Sequence, residues 1–204
     1  MRVALVALTA RGLELARRLQ PHLDGAVVHG RRGRADAADV PFALTVAHLR
    51  DLFERDTAIV GICASGILIR ALAPLLNDKR SEPPVLALAE DGSVVVPLLG
   101  GHHGANRLAR RIADAIGATP AVTTAGDLGP GVAPDEPPAG WTVANPELAG
   151  PLTSVLLAGG GVRLAAEAGD GSWPDPSHFA SHGELTLLVT DRAGRADEKT
   201  LVVH

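Results

Sequence analysis

Hydrophobic and polar positions alternate between short apolar runs and amphipathic stretches. Met1 to Leu8 holds Val3, Leu5, Val6 and Leu8 in one apolar run, the pattern of a strand buried on both faces. Thr9 can then cap a helix through Leu23, with Gly12, Leu15, Ala16, Leu19 and Leu23 at helical spacing. Ala26 to His29 predicts a second strand, and the polar Arg31 to Asp39 stretch a loop. Thr45 to Glu54 reads as a helix, Thr57 to Cys63 as a third strand, and Ser65 to about Leu76 as a helix. Val85 to Ala89 and Val94 to Leu98 flank a turn at Glu90-Asp91-Gly92, as two strands or a hairpin. A Gly-rich stretch then opens a helix that ends at Ile116, before Gly117. Ala105, Leu108, Ala109, Ile112, Ala113 and Ile116 form its apolar face. Ala121 to Thr124 is the next strand.

Strands alternating with helices predict an α/β fold: a layered, mostly parallel sheet with flanking helices. The pattern then breaks. Between Gly126 and Gly140, Gly and Pro supply eight of fifteen residues, a linker rather than a core element. Beyond it, Asn145 caps a helix with Pro146 at its first position, running to about Ala158. Strands follow at Val162 to Ala165, Leu185 to Thr190 and Leu201 to Val203. The expected division is an α/β domain over 1–125, a linker over 126–140, and a second, smaller α/β unit over 141–204.

Composition narrows the function. The 204 residues are 46% hydrophobic and 21% charged, with a formal net charge of −4, an ordinary globular mix without the basic face that nucleic acid or an anionic membrane requires. One cysteine, Cys63, excludes an intrachain disulfide framework and a Cys-based zinc cluster. No apolar run reaches the roughly 18 residues of a membrane span, and the start lacks a signal-peptide layout. These features predict a soluble cytoplasmic protein. Aromatic residues are 2% of the chain, with no Tyr, which argues against stacking platforms. Lys occurs only at Lys79 and Lys199, so the positive charge is nearly all Arg, the better fork for carboxylates and phosphates.

Three features could carry chemistry. In Gly61-Ile62-Cys63-Ala64-Ser65-Gly66 a strand passes into a helix whose free N–H groups suit an anion. Ser65 there is a cap, a ligand contact or, against the usual Gly-x-Ser-x-Gly elbow, a nucleophile. Arg70 is the only charge between Thr57 and Leu76, in a helix apolar on nearly every side. That predicts a buried guanidinium paired with Asp78, Glu90, Asp91 or a bound carboxylate. Gly100-Gly101-His102-His103-Gly104-Ala105-Asn106 places two imidazoles at a helix start, where the dipole favours the neutral base. The spacing matches neither a dinucleotide fingerprint nor a Walker loop. Adjacent histidines diverge and no third ligand lies nearby, so no metal site is expected.

Taken in order, Ser65-Gly66-Ile67, Arg70 to Leu75, Asp78-Lys79, Pro84-Val85, Glu90-Asp91-Gly92, Leu98 to His102, Gly104 to Ala109 and Pro120 to Thr124 resemble the N-terminal domain of the CbiG family of cobalamin biosynthesis, the cobalt-precorrin-5A hydrolases. Residues 141–204 resemble the family's middle domain more weakly. The family's Ser-Gly-His-x-Gly-Gly-Ala-Asn stands here one glycine short, as in the variant joined to a precorrin-3B C17-methyltransferase. Prolines 134, 137 and 138 interrupt a segment that is helical in the family pattern, and the family's C-terminal domain is expected after His204.

The resemblance implies hydrolytic opening of the δ-lactone of cobalt-precorrin-5A with release of acetaldehyde. The alternative it implies is a non-catalytic tetrapyrrole-binding region of a fused methyltransferase. His102 and His103 are then the candidate bases. Ser65, Gly66, Arg70, Asp78, Lys79, Glu90, Gly101, Gly104 and Asn106 are candidate substrate contacts, with backbone N–H groups of Gly66 or Gly104 as oxyanion donors. The implied partner is an anionic tetrapyrrole, alongside a fused or separate corrin methyltransferase domain, with no nucleic acid and no membrane. No cofactor is expected, any cobalt being carried by the substrate. The helix starts at Ser65 and Gly104 are expected to face one crevice at the carboxyl end of the sheet.

Overall fold

The first apolar runs form the middle of a sheet because they have no polar face to give to water. The computed structural model describes residues 2–79, 81–123, 134, 137–138, 140–171, 173–192 and 196–204, and the backbone alone of His102. The chain divides into two compact units, Met1–Val122 and Thr123–His204.

In the first unit β1 (Val3–Ala7), β4 (Ala58–Ile62) and β5 (Val85–Leu88) are buried along their whole length. β2 (Ala26–Arg31) and β3 (Val40–Phe42) extend the sheet on one side. β6 (Val94–Leu99) and β7 (Thr119–Pro120) extend it on the other. Among the described residues the order is β3-β2-β1-β4-β5-β6-β7. The fold is therefore the expected mixed α/β architecture with a mostly parallel sheet. β3 is an edge strand that the polar loop pattern had hidden; Pro41 can sit there because an edge N–H need not pair. The expected strand at Ala121 is shifted to Thr119–Pro120, and Thr124 lies outside the described residues, as does most of the 126–140 stretch.

Helices cover both faces. α1 (Ala10–Leu19) and α4 (Ala105–Ile116) bury Leu15, Leu19, Leu108 and Ile112 against Leu5, Val60 and Leu86. α2 (Thr45–Glu54) and α3 (Ser65–Leu72) bury Leu49, Phe53, Leu68 and Leu72 against Val6, Ile59 and Val85. Cutting a fully buried side chain such as Ile59 to Ala costs about 2–5 kcal/mol. Thr9 caps α1 as the pattern predicts, its Oγ1 accepting from the Gly12 N–H at 3.1 Å. Ser65 is the first helical residue of α3 rather than its cap; Ala64 holds that position and gives no side-chain bond.

β1 to β5 all run one way. The turn at Glu90–Ser93, with Gly92 at φ +75° and the Ala89 N–H bonded to the Val94 carbonyl at 3.0 Å, reverses the chain. β6 is therefore antiparallel to β5, α4 carries the chain back, and β7 lies parallel to β6.

The second unit packs α5 (Ala149–Leu157) on a parallel sheet of β8 (Val162–Ala166), β9 (Leu185–Val189) and β10 (Thr200–Val203), ordered β10-β9-β8. Asn145 stands at the N-cap position of the 3-10 turn Pro146–Leu148 that leads into α5, with Pro146 first as expected, but its side chain makes no capping bond. That side chain joins β10 instead, donating to the Thr200 carbonyl at 2.8 Å and accepting from the Val202 N–H at 2.9 Å.

Two predictions follow from packing in the first unit. On β2 and α2, His29 Nδ1 and His48 Nε2 share a hydrogen bond at 2.9 Å, and His48 stacks on Phe42 with ring centroids 4.3 Å apart. Burial, then the neighbouring His48, pushes the His29 pKa down to about 4, and burial lowers that of His48. Both favour the neutral form more when folded. Their stabilisation is fully present above the ordinary value near 6.5 and is lost as pH falls toward 4. Urea unfolding between pH 7 and 4.5 should show stability falling, with a shallower fall in His29→Leu; equal slopes would exclude the histidine pair as its source. Gly100 sits at φ +74°, and a Cβ there would stand 2.5 Å from the Pro83 carbonyl oxygen, a backbone atom that cannot yield. Gly100→Ala should therefore cost about 2–4 kcal/mol by the same measurement.

Candidate functional site

The sheet's reversal sorts the sequence-predicted residues into two groups at opposite ends. At the carboxyl ends of β1, β4 and β5 lie Thr9, Cys63, Ser65, Gly66 and Glu90. This is where the strand order switches between β1 and β4, the usual place for a crevice in open α/β sheets. Thr9 Oγ1 donates to Glu90 Oε1 at 2.6 Å, joining the β1 and β5 ends. Burial, then the Glu90 charge, pushes the Cys63 thiol up to about 11, so it stays protonated and is a poor nucleophile near neutrality. Sequence reasoning took Thr9 as a cap alone; its second bond joins strand ends that only the topology brings together.

Arg70 departs from expectation. It is exposed, its Nη1 donates to the Gly66 carbonyl at 3.0 Å, and it has no carboxylate partner among the described residues. Leu68 and Leu72 point α3 at the sheet, which turns position 70 outward along with Ile69, 51% exposed. The guanidinium folds back over Gly66, where a Cβ would meet Nη1 at 2.7 Å.

The other group occupies the opposite end, about 15 Å away by the rise of a five-residue strand. The Gly100–Gly104 turn follows β6 and backs onto Pro83, while Asp78 and Lys79 are exposed in the loop between Leu75 and Val85 at this same end. Gly100 and Gly104 both have positive φ, and the N–H groups of His103 and Ala105 bond to the Gly100 carbonyl at 2.9 and 3.1 Å. The Gly104 N–H is bonded to the Gly101 carbonyl at 3.1 Å, which removes it as a free oxyanion donor. His103 is exposed; the His102 side chain lies outside the described residues. Asn106 is 3% exposed, buried in the first turn of α4 rather than open to a ligand.

The expected single crevice uniting Ser65 and Gly104 is therefore not present. β6 runs antiparallel to β5, so α4 begins where β5 begins and its dipole points away from that of α3. Beside the turn, an apolar cavity of about 170 Å³ opens between α3 and β6, lined by aliphatic side chains including Leu68, Ile69, Leu72, Leu76, Leu98 and Leu99. It explains why α3 carries apolar residues beyond its sheet-facing stripe, the one sequence signal that marked it.

The family profile described as Cobalamin synthesis G N-terminal matches residues 47–127, which include α3, the 76–84 loop and the Gly100 turn. A protein from Salmonella typhimurium named cobalt-precorrin-5A hydrolase is 41% identical over 128 residues, 62% of this chain and 36% of that protein. One of the same name from Priestia megaterium is 26% identical over 223 residues, 98% of this chain and 60% of that protein. The chain thus spans 36% to 60% of the length of these curated relatives. A crystal structure of a cobalamin biosynthesis protein G homolog from Sulfolobus solfataricus superposes with a TM-score of 0.52 at 17% identity, over 99% of this chain and 60% of that one, a likeness of fold. Among the described residues no helix is long and apolar enough to cross a membrane. Residues 47–127 thus match the Cobalamin synthesis G N-terminal family, and the two relatives above carry the name cobalt-precorrin-5A hydrolase.

Proposed function

We propose that the chain serves corrin-ring biosynthesis as part of a cobalt-precorrin-5A hydrolase, with the Gly100–Gly104 end of the first unit as its substrate face. The observation that carries this is the junction of the histidine turn with the aliphatic cavity: Leu98 and Leu99 line the cavity, and the next five residues form the turn. A tetrapyrrole offers an apolar macrocycle rimmed by carboxylates. The cavity suits an apolar edge, and Lys79 suits a carboxylate as a point charge. In this reading His102 or His103 takes the proton of an attacking water. The water oxygen bonds to the lactone carbonyl carbon and the ring C–O bond breaks, giving a carboxylate and an alkoxide on the two-carbon unit; the alkoxide collapses to an aldehyde as the C–C bond to the macrocycle breaks, the macrocycle keeps that electron pair and takes up a proton, and acetaldehyde departs. Cobalt travels within the substrate.

Ser65, Gly66, Arg70 and Glu90 lie too far away to touch the same bond, so they belong to a separate surface. A second reading that the family resemblance allows is tetrapyrrole binding without chemistry, beside a fused or separate corrin methyltransferase.

Acetaldehyde release from cobalt-precorrin-5A, run beside an absorbance titration, separates the two. If the turn is catalytic, either His102→Ala or His103→Ala lowers release by about 10²–10⁴-fold while binding holds within about 3-fold. Binding without acetaldehyde from the wild type supports the second reading. Neither binding nor acetaldehyde removes both.

A further inference from the structure

Helix α4 carries its charges against its own dipole. Gly104 stands at its N-cap, which makes Arg107 the third helical residue, the place where Glu or Gln ordinarily reaches back to the cap. The first turn holds no acid and the last turn no base, while Asp114 lies in that last turn. α1 shows the ordinary arrangement, with Arg17 and Arg18 in its last turn. A cation in a first turn weakens its helix, and a residue that works against its own element is expected where function holds it. Helix geometry tilts the side chain back toward the helix start. The Arg107 guanidinium comes to lie over Gly104, where a Cβ would stand 2.9 Å from Nη2, 3.5 Å from Cζ and 3.7 Å from Nε. Arg70 leans over Gly66 in the same way but donates to the Gly66 carbonyl. The Gly104 carbonyl is already taken by the Leu108 N–H at 2.9 Å, and Arg107 is exposed with no acidic partner among the described residues.

A guanidinium held beside the histidine turn is a planar fork for a carboxylate. Leu99, on the other side of that turn in sequence, lines the aliphatic cavity. One short segment thus offers an apolar wall for a ring edge and a cation for a carboxylate on its rim. We propose that Arg107 is a specificity-determining residue of the substrate face: its guanidinium binds a rim carboxylate and fixes how the macrocycle lies over the turn. This rests on the reading of that face as the tetrapyrrole site. A seated macrocycle covers the pair from water, which makes it stronger than an ion pair left exposed on the surface.

The test is an absorbance titration of the whole chain with cobalt-precorrin-5A, beside thermal unfolding. Arg107→Gln should weaken binding about 10-fold, and Arg107→Lys, which keeps the charge without the fork, about 3-fold. The loss in Arg107→Gln should shrink as salt rises from about 0.05 to about 0.5 M, as a screened ion pair requires. Arg111→Gln removes a charge from the same helix and should leave the affinity within about 2-fold, which separates a local contact from net charge. Relief from the opposed dipole should raise the Tm of Arg107→Gln by about 1–3 °C, so that lost affinity is not lost folding. Binding that Arg107→Gln leaves unchanged, an equal loss in Arg111→Gln, or a Tm lowered by more than about 3 °C would each overturn the inference alone. No binding by the wild type would overturn the reading of the face and the inference with it.

Discussion

One reversal organises the first unit. Four residues at Glu90–Ser93 turn β5 back on itself, and every strand beyond runs against the first five. Gly92 supplies the left-handed backbone, and Asp91 Oδ1 ties the turn by accepting from the Ser93 N–H at 3.0 Å and from its hydroxyl at 2.6 Å. Had β6 been reached by a crossover helix, α4 would begin beside α3, and the two glycine motifs would share one crevice. The hairpin instead puts the carboxyl ends of β1, β4 and β5 at one end of the sheet and that of β6 at the other.

The two ends differ in what they can hold. At the β1–β4 switch the fixed group is Glu90, bonded by Thr9 and raising the Cys63 pKa through its charge. A polycarboxylate would have to approach that charge, and the nearby Arg70 guanidinium is exposed to solvent, where its attraction is weak. At the other end the Gly100–Gly104 turn directly follows Leu98 and Leu99, which line an aliphatic cavity. In the proposed reading, burial of an apolar edge, not charge, supplies most of the attraction, and the charges set orientation. The overall net charge of −4 is no obstacle to an anion bound this way.

Much of the fold was legible in the residues, and the failures have physical causes. β1, β4 and β5 are apolar throughout because both faces are covered, and Thr9 with Gly12 signals the α1 start through a local bond. Local signals end where long-range pairing decides. The residues at 85–98 fit two strands or a hairpin equally well, and that choice fixes which end of the sheet receives His103. Arg70 failed for a different reason. An apolar helix surface implies burial only when something covers it; here Ile69 and Leu76 border an open cavity, and the Arg between them meets water. Asn145 looked like a cap because Pro146 follows, whereas its amide finds its partners 55 and 57 residues away on β10.

Aromatic rings are scarce and unevenly shared between the units. The chain has two Trp and three Phe, and the described first unit holds only Phe42 and Phe53, both buried. Phe42 is moreover taken up by the His48 stack. Any recognition there must work through aliphatic surface, imidazole and charge. Both indoles lie in the second unit, where Gly169 leaves room for Trp141, a Cβ there falling 3.5 Å from its ring. The compositional scarcity of rings therefore describes the first unit's surfaces, while in the second an indole does line a cavity. A 2% average says how few rings there are, and the packing around Gly169 and Pro174 decides that one of them lines a cavity.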